Sequence, residues 1–403
     1  MSECRACRAP LSEVFADLGM LPLPNAYFAP DEQHREERFP LVVHVCERCF
    51  LVQAVPVGTT ESIFGHYAYF SSYSQTALDS ARAYCSRMIE RLALGEHSYV
   101  IEAGSNDGYL LQYFRDAKIP VLGIEPASNI AAVAREKGID TWARPFGVET
   151  ATRLARPADL LIANNVLAHV PDLHDFVGGL KIALAPRGVI TAEFPHLMPL
   201  IEGTLFDTIY HEHFSYLSLL SVTGVLAAHG LEVVDLEELP THGGSLRLFI
   251  AHRGAEPVRA AVQDARRRER DFGLDRIDTY RGFSGAVEKR TREVRDLLFA
   301  ARDAGKRIAG YGAPAKASTL LNHCGIGPEV VEYTVDRSPH KQGRFVPGTE
   351  IPIHAPERLD ETRPDYVLVF PWNLRGEILA QMAHIRDWGA RFVMPMPRVE
   401  VID

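Results

Sequence analysis

Long hydrophobic runs are absent from this sequence of 403 residues. No stretch approaches the roughly 18 consecutive apolar residues of a membrane-spanning helix, which predicts no membrane association. The opening Met-Ser-Glu-Cys-Arg lacks the apolar segment of a secretory signal, so we expect a cytoplasmic protein. Acidic residues outnumber basic ones, and the formal net charge is −9. The one basic run, 266–268, adjoins acidic residues in a helical pattern. This argues against nucleic acid as a partner, because binding it requires clustered Lys and Arg.

Cysteine is scarce as well, because six residues are too few for a disulfide-rich scaffold. Four of them nevertheless form two Cys-x-x-Cys pairs, Cys4 with Cys7 and Cys46 with Cys49. Each pair can place two thiolates on one tight turn, and together they complete a tetrahedral sulfur site suited to structural Zn²⁺. Metal binding would stabilise residues 1–62, which are too few to bury much of a core. The alternative is four free thiols or a redox pair.

The remaining chain alternates between short apolar strands and helices. After an amphipathic helix over 76–94, this alternation indicates an α/β fold with a parallel sheet covered on both faces. A charged helical stretch over 256–304, broken near Gly282, leads into a second β/α pattern that begins with a strand at 306–312. We predict further strands at 98–102, 121–125, 160–163, 188–193, 233–236, 245–251, 330–335 and 365–370, and helices near 108–117, 128–137, 148–155, 172–185 and 374–387.

A glycine-containing turn follows the first strand of this pattern, in the segment Glu102-Ala-Gly104-Ser-Asn106-Asp107-Gly. Glycine lets a ligand approach the backbone, and the following helix offers unpaired N–H groups. The segment is neither Gly-x-Gly-x-x-Gly nor a Gly-Lys-Ser/Thr loop, which weakens the dinucleotide and nucleoside-triphosphate interpretations. Its acidic residues suit a positively charged ligand with hydroxyls, such as a sulfonium nucleoside. Glu125 ends the next strand, where a carboxylate can accept from two ribose hydroxyls.

Polar residues also follow the strand at 160–163. Asn164, Asn165 and His169 come directly after it, and ligands of parallel sheets bind beyond the carboxyl ends of strands. We therefore expect these three side chains to point toward the ligand. The alternative is a turn asparagine and a histidine that packs against a helix.

The segment Tyr210-His-Glu212-His213-Phe-Ser-Tyr is dense in acid–base groups. It is not His-Glu-x-x-His and offers no third ligand, so a metal site is not expected there. A histidine can take a proton near neutral pH, a carboxylate can fix its tautomer, and a tyrosine hydroxyl can support an oxyanion. The alternative is a polar surface loop.

Two further segments carry possible ligand contacts. A strand-to-helix glycine turn at 310–319 includes Lys316 and suits a phosphate or diphosphate, although the lysine could equally be exposed to solvent. The aromatic-rich segment 64–73, with Tyr67 and Tyr69, could line a sugar pocket or pack between domains.

The joint order of these motifs resembles the nucleotide-deoxysugar C-methyltransferases. The shared motifs are the two Cys-x-x-Cys pairs, Glu-x-Gly-x-Asn-Asp-Gly, Gly-Ile-Glu-Pro, Asn-x-x-x-His, Tyr-x-Glu-His-Phe, His242-Gly-Gly-Ser and Gly-Tyr-Gly-Ala-x-x-Lys. The resemblance implies a zinc module (1–62), a class I methyltransferase core with a Rossmann-like sheet (63–254) and a C-terminal Rossmann-like domain that binds the nucleotide sugar (255–403). Such enzymes use S-adenosylmethionine to methylate a carbon beside the keto group of a nucleotide-linked 4-keto-deoxysugar.

The resemblance also implies roles for individual residues. His213 would be the base that removes the proton next to the ketone, with Tyr210, Glu212, His169 and Tyr67 around the sugar. Further substrate contacts are expected from Tyr69, Asn165, His242 and Lys316. The methyl donor would be held by Glu102, Gly104, Asn106, Asp107, Glu125 and Asn164. We expect a dTDP-linked substrate, methylation at C-3, a structural zinc and a monomer or homodimer.

Two other enzyme classes remain open at this point. A methyltransferase of the same fold could act on an oxygen or on another activated carbon, with His213 as the base on a hydroxyl. An NAD-dependent nucleotide-sugar epimerase could use the C-terminal glycine turn, although the missing Gly-x-Gly-x-x-Gly counts against it. A pure binding module fits least well with so many acid–base groups beyond the strand ends.

Overall fold

The computed structural model describes residues 3–30, 32, 36–57, 70–73 and 75–403. In this part of the chain the strands form three sheets, of four, seven and six strands. The α/β class predicted from the sequence is confirmed. None of the helices in these ranges combines the length and the apolar character needed to cross a lipid bilayer.

The N-terminal sheet is built on antiparallel pairs. Strand β1 (Glu13–Pro22) pairs with β2 (Arg38–Val45), which pairs with β3 (Val52–Ala54). The buried side chains of these strands join the core of the C-terminal region, where the Phe15 ring stacks on that of Phe283 at 4.2 Å between centroids. The small sheet therefore buries its apolar face against distant residues of the same chain.

The central sheet has seven strands, most of them parallel. Its order is β6–β5–β4–β7–β8–β11–β10, and β11 runs antiparallel to both β8 and β10. The strands in chain order are β4 (Val100–Ala103), β5 (Val121–Ile124), β6 (Thr141–Trp142), β7 (Ala158–Asn164), β8 (Leu184–Pro195), β9 (Ser215–Tyr216, in the N-terminal sheet), β10 (Leu231–Leu239) and β11 (Ser245–His252).

Helices cover this sheet, and their buried residues follow the helical spacing. Helix α1, for example, buries Ala81, Tyr84, Cys85 and Met88 along one stripe. The helices are α1 (Gln75–Leu92), α2 (Leu111–Asp116), α3 (Ser128–Glu136), α4 (Val148–Ala151), α5 (Leu173–Ala183), α6 (Leu197–Gly203) and α7 (Leu219–Ala228).

The C-terminal region forms the third sheet, in the order β14–β13–β12–β15–β16–β17, with a parallel arrangement up to its last, antiparallel pair. Its elements are α8 (Ala260–Phe272), α9 (Ile277–Arg281), α10 (Phe283–Asp303), β12 (Ile308–Tyr311), α11 (Ala315–Cys324), β13 (Thr334–Val335), β14 (Ile353–His354), α12 (Arg358–Thr362), β15 (Tyr366–Val369), α13 (Arg375–Gln381), β16 (Arg391–Met394) and β17 (Glu400–Ile402).

Two elements of this region differ from the sequence prediction. The charged stretch 256–304 is interrupted at Gly273 as well as near Gly282, because Gly273 ends α8 in a left-handed conformation (φ +99°). The predicted strand over 330–335 is reduced to β13. The amides of Val330 and Val331 instead donate to the carbonyl of Gly327 and form a turn.

The segment 206–216 lies where the three sheets approach one another. Its end, β9, pairs with β3 of the N-terminal sheet through Val52–Tyr216 and Gln53–Ser215. On the other side, the hydroxyl of Thr319 in α11 donates to the carbonyl of Ile209 at 3.0 Å. The predicted acid–base residues are therefore fixed from both flanking regions at once.

Candidate active site

The four cysteines of the two Cys-x-x-Cys pairs come together. Their Sγ atoms all lie within 4.8 Å of one another, with 3.5 Å between Cys4 and Cys49 and between Cys7 and Cys46. A tetrahedral zinc with Zn–S bonds of about 2.3 Å places its sulfurs about 3.8 Å apart, so this arrangement fits the ion. Four cysteines would leave the ion no open position, which is typical of structural zinc sites.

The turn after β4 is shaped to receive a ligand. Gly104 has φ +67°, and a Cβ added there would lie 2.5 Å from Cγ2 of Val166. Beside it, Glu102 is 2 % exposed, and its Oε2 has no hydrogen-bond partner within the described residues. Burial, and then the charges of Glu125 and Asp107, raise the pKa of Glu102 well above its usual value. A buried carboxyl group with an unpaired oxygen fits a sulfonium nucleoside at this place, because the positive charge of the ligand would favour the ionised form of Glu102.

Glu125 lies at the end of β5 and is held by the same turn. Its two oxygens accept from the amide of Asn106 at 3.0 Å and from that of Ala127 at 2.9 Å. Burial is the main cause that raises the pKa of this carboxyl. Each oxygen keeps further acceptor capacity, which is what binding to ribose hydroxyls requires.

Asp107 is engaged differently from the other acidic residues of the turn. Its Oδ2 accepts from Lys137 Nζ at 2.7 Å and from the hydroxyl of Ser72, while its buried Oδ1 has no partner within the described ranges. Asn106 accepts from the amide of Ser71 at 2.9 Å. Both side chains therefore anchor residues 70–73 to the turn.

The two asparagines at the end of β7 have buried amide oxygens. Neither Asn164 Oδ1 nor Asn165 Oδ1 has a hydrogen-bond partner among the residues described. Asn165 adopts φ +55°, and its amide donates to the carbonyl of Glu193 at 2.7 Å. The strand end is thus fixed in a left-handed turn with two acceptors left for a ligand.

His213 is buried among aromatic rings and a second histidine. Its ring centroid lies 4.0 Å from that of Tyr210 and 4.7 Å from that of His169. Its Nδ1 lies 3.0 Å from the carbonyl oxygen of Thr208, which can only accept, so Nδ1 carries the proton and Nε2 holds a lone pair. Burial, followed by repulsion from His169, holds the pKa of His213 well below its ordinary value.

The neighbours of His213 are also held in place. Burial lowers the pKa of His169 to about 4, and its ring hydrogen-bonds to the backbone of Glu212. The Glu212 carboxylate accepts from Asn25 Nδ2 at 2.7 Å. The amide of Tyr210 donates to the hydroxyl of Tyr216 at 3.2 Å. The structure thus brings Tyr210, Glu212, His213 and His169 together.

The predicted substrate residues His242 and Lys316 lie on the C-terminal side of this group. Lys316 Nζ donates to Asn373 Oδ1 at 2.6 Å and lies 4.3 Å from the ring centroid of Trp372. Burial lowers the pKa of Lys316 to about 8. His242 keeps solvent contact, yet the protein around it, and then Lys316, lower its pKa to about 4. Tyr67 and Tyr69 lie outside the described residues.

Sequence reasoning missed two buried residues beside Lys316. Trp372 Nε1 donates to Asp207 Oδ2 at 2.6 Å, and Asp207 Oδ1 has no partner in the described part of the chain. Burial raises the pKa of Asp207 to about 6. The density of acid–base groups from Tyr210 onward could have drawn attention to Asp207. Nothing local marks Trp372, which reaches the site through tertiary packing.

Known proteins resemble this chain along its whole length. Family models match it as a zinc binding domain over residues 4–64, a methyltransferase domain over 78–236 and a C-methyltransferase C-terminal domain over 240–397. The C-methyltransferase NovU of Streptomyces niveus is 38% identical over 410 residues, which span 100% of this chain and 97% of NovU.

Solved structures are more distant. The magnesium protoporphyrin IX methyltransferase of Synechocystis, with bound SAM, is 17% identical over 45% of this chain and 79% of its own, at a TM-score of 0.33. The CcbJ methyltransferase of Streptomyces caelestis is 12% identical over 48% of this chain and 88% of its own, at 0.35. These scores are too low to carry an argument about this chain. The family is shown instead by the full-length identity to NovU and by the three family models. On that basis the chain belongs to the S-adenosylmethionine-dependent C-methyltransferases that have an N-terminal zinc-binding module.

Proposed function

We propose that this C-methyltransferase acts on a nucleotide-linked 4-keto-deoxysugar, at the carbon beside the keto group, with His213 as the base. C-3 is the favoured carbon and dTDP the favoured nucleotide. The observation that carries the proposal is the state of His213: a neutral, buried imidazole whose Nδ1–H is held by the Thr208 carbonyl, which leaves Nε2 free to accept a proton. Carbon methylation beside a ketone requires such a base.

The surroundings of His213 suit the charge that develops in this reaction. Removal of the proton next to a ketone delocalises the electron pair onto the carbonyl oxygen as an enolate. Groups that donate hydrogen bonds to that oxygen lower the barrier, because they act in a site that excludes water. The hydroxyl of Tyr210 would be such a donor, since the Tyr210 ring lies 4.0 Å from that of His213 between centroids. The neutral ring of His169 packs against His213 on another side and helps to exclude water. Glu212, fixed by Asn25, holds the segment that carries both Tyr210 and His213.

The methyl donor would be held at the turn after β4. S-adenosylmethionine supplies an electrophilic methyl group on a sulfonium when it is bound. Glu102 provides a carboxyl group with an unpaired oxygen, and Gly104 provides a backbone without a side chain. Glu125 and Asn106 would face the ribose. Asn164 adds an unpaired acceptor. Asp107 supports this set through Lys137 and Ser72.

The nucleotide-sugar would enter from the C-terminal side. Lys316 is a positive charge on this side of the site, because burial lowers its pKa only to about 8. Asn165 and His242 add polar contacts. A fixed cation of this kind favours a substrate with phosphate groups.

The first test is the exchange of the proton beside the ketone in D₂O, with S-adenosylhomocysteine in place of the donor. Wild-type protein is expected to incorporate deuterium into a dTDP-4-keto-deoxysugar. His213→Asn should lose at least about a thousandfold in exchange and in methylation, as expected for removal of a general base. It should still bind S-adenosylhomocysteine normally. His97→Asn, at an exposed histidine, is the control.

The outcomes separate the enzyme classes. Methylation without exchange in the wild type would indicate an oxygen or another atom as the acceptor. Near-normal turnover by His213→Asn would refute the base assignment. Calorimetric titration with S-adenosylhomocysteine, dTDP and NAD should show binding of the first two, and binding of NAD alone would favour an epimerase instead.

A further inference from the structure

Arg5 connects the metal module directly to the backbone next to His213. It lies in the first knuckle, between Cys4 and Cys7, and is only 9 % exposed. One guanidinium nitrogen donates to the carbonyl of Phe214 at 2.8 Å, and another donates to the carbonyl of Ala54 at 2.8 Å. The same Phe214 carbonyl also accepts from the amide of Ala54 at 3.1 Å. A single side chain therefore clamps the peptide between Phe214 and Ser215, one residue beyond His213, onto strand β3.

A second connection runs through Gln53, which is buried. The backbone amide of Arg5 donates to the Gln53 side-chain oxygen at 2.9 Å, and Gln53 Nε2 donates to Cys4 Sγ at 3.2 Å. Gln53 is also the β3 residue paired with Ser215 in β9. The position of a metal-binding sulfur is therefore linked to β9 through one side-chain amide.

The charge of Arg5 is consistent with a metal-bound knuckle. A buried guanidinium is costly unless an anion lies close by, and carbonyl oxygens do not neutralise it. Four thiolates outweigh the charge of one divalent ion, so the metal-bound cluster is a net anion beside Arg5.

We propose that Arg5 is a positioning residue for proton abstraction, which transmits the rigidity of the metal-bound knuckle to the backbone of His213 and Phe214. This role of Arg5 rests on the proposed function in one respect, because it requires that His213 is the base. It assigns the metal module a part in catalysis, through the geometry of the catalytic segment.

The test uses the zinc-loaded full chain and the variants Arg5→Met and Arg5→Lys. Arg8→Met is the control, because Arg8 belongs to the same knuckle but is exposed. Four quantities are measured: zinc per chain, the Kd for S-adenosylhomocysteine, the amide hydrogen exchange of residues 210–216, and kcat and KM for proton exchange beside the ketone.

For Arg5→Met we expect zinc content and Kd to stay within about twofold of wild type. Amide exchange of residues 214–216 should accelerate at least about tenfold, because two charge-assisted hydrogen bonds are lost. The kcat for proton exchange should fall roughly 10- to 100-fold at nearly constant KM, as expected when a base is displaced by a fraction of an ångström. Arg5→Lys keeps the charge but cannot reach both carbonyls. Its amide exchange and its kcat should therefore lie between those of the wild type and those of Arg5→Met.

Two results would overturn the proposal. One is unchanged amide exchange or unchanged kcat in Arg5→Met with zinc retained. The other is loss of zinc from both Arg5 variants, because Arg5 would then serve the metal site itself. Failure of the base assignment is distinguishable, since His213→Asn would then keep its turnover while the amide exchange of the Arg5 variants still reports on the clamp.

Discussion

Gly104→Ala offers the sharpest test of the turn after β4, where we propose that the methyl donor binds. Two costs can be worked out from the structure. An alanine at φ +67° is strained by about 1–2 kcal/mol, and its Cβ would lie 2.5 Å from Cγ2 of Val166, where overpacking costs about 1–3 kcal/mol. Val166 is β-branched and cannot simply rotate away. The total of about 2–5 kcal/mol should lower the Tm by several degrees. The turn has to move to relieve the clash, so the proposed donor site should lose at least about 1.4 kcal/mol of binding free energy, which is a tenfold weaker affinity.

The assay combines thermal unfolding with titration of S-adenosylhomocysteine. Gly95→Ala is the matched control, because a Cβ there meets nothing within 4 Å and the glycine is exposed. The double variant Gly104→Ala/Val166→Ala should recover the clash energy but not the strain, so the two changes should couple by about 1–3 kcal/mol. A Gly104→Ala protein with the Tm and affinity of the Gly95→Ala control would refute the reasoning.

Three other outcomes follow from the site. The proposed base, His213, must be neutral to accept a proton, and burial lowers its pKa, so the acid limb of proton exchange should lie below the usual histidine range. The rate that remains at pH 5.5 should exceed the one-tenth or so that an ordinary histidine would leave, and an acid limb near 6.5 would contradict this. Metal analysis should give about one zinc per chain, lost on changing Cys46 and Cys49 to Ser, and a zinc-free active protein would disprove the structural role. Thr319→Val removes the hydroxyl that binds the Ile209 carbonyl and should cost about 1–3 kcal/mol in unfolding free energy, which denaturant titration would reveal.

Local signals in the sequence were sufficient for much of the fold. The apolar strands around Glu102 and Glu125 mark the central sheet, because buried parallel strands are short and continuously apolar. The spacing of Cys4, Cys7, Cys46 and Cys49 predicts the cluster, because ligand spacing follows from the tight turn of each knuckle.

Features that depend on distant pairing could not be predicted. Strand β9 is two residues long, and its partner β3 lies far away in the chain, so no periodicity marks it. Trp372 and Asp207 meet only after two regions pack together, and neither stands in a motif. An arginine between two cysteines of a tight turn is expected to face solvent. Only the contact of Arg5 with the Phe214 carbonyl shows that it points into the protein. The helix ends at Gly273 although the apolar spacing in the sequence continues past it. Helical periodicity therefore does not reveal a residue in a left-handed conformation.

The pairing of β3 with β9 has a consequence for how the chain reaches its native state. During synthesis the three strands β1 to β3 emerge long before residues 215–216. The edge of β3 that pairs with β9 therefore stays unpaired until the central region has been made. Such a pairing of high sequence separation is slow to form, and an open strand edge invites pairing with other chains. Early zinc capture by the four cysteines would hold the knuckles in shape through this interval. The ion would then protect the nascent chain against aggregation as well as stabilise the finished enzyme.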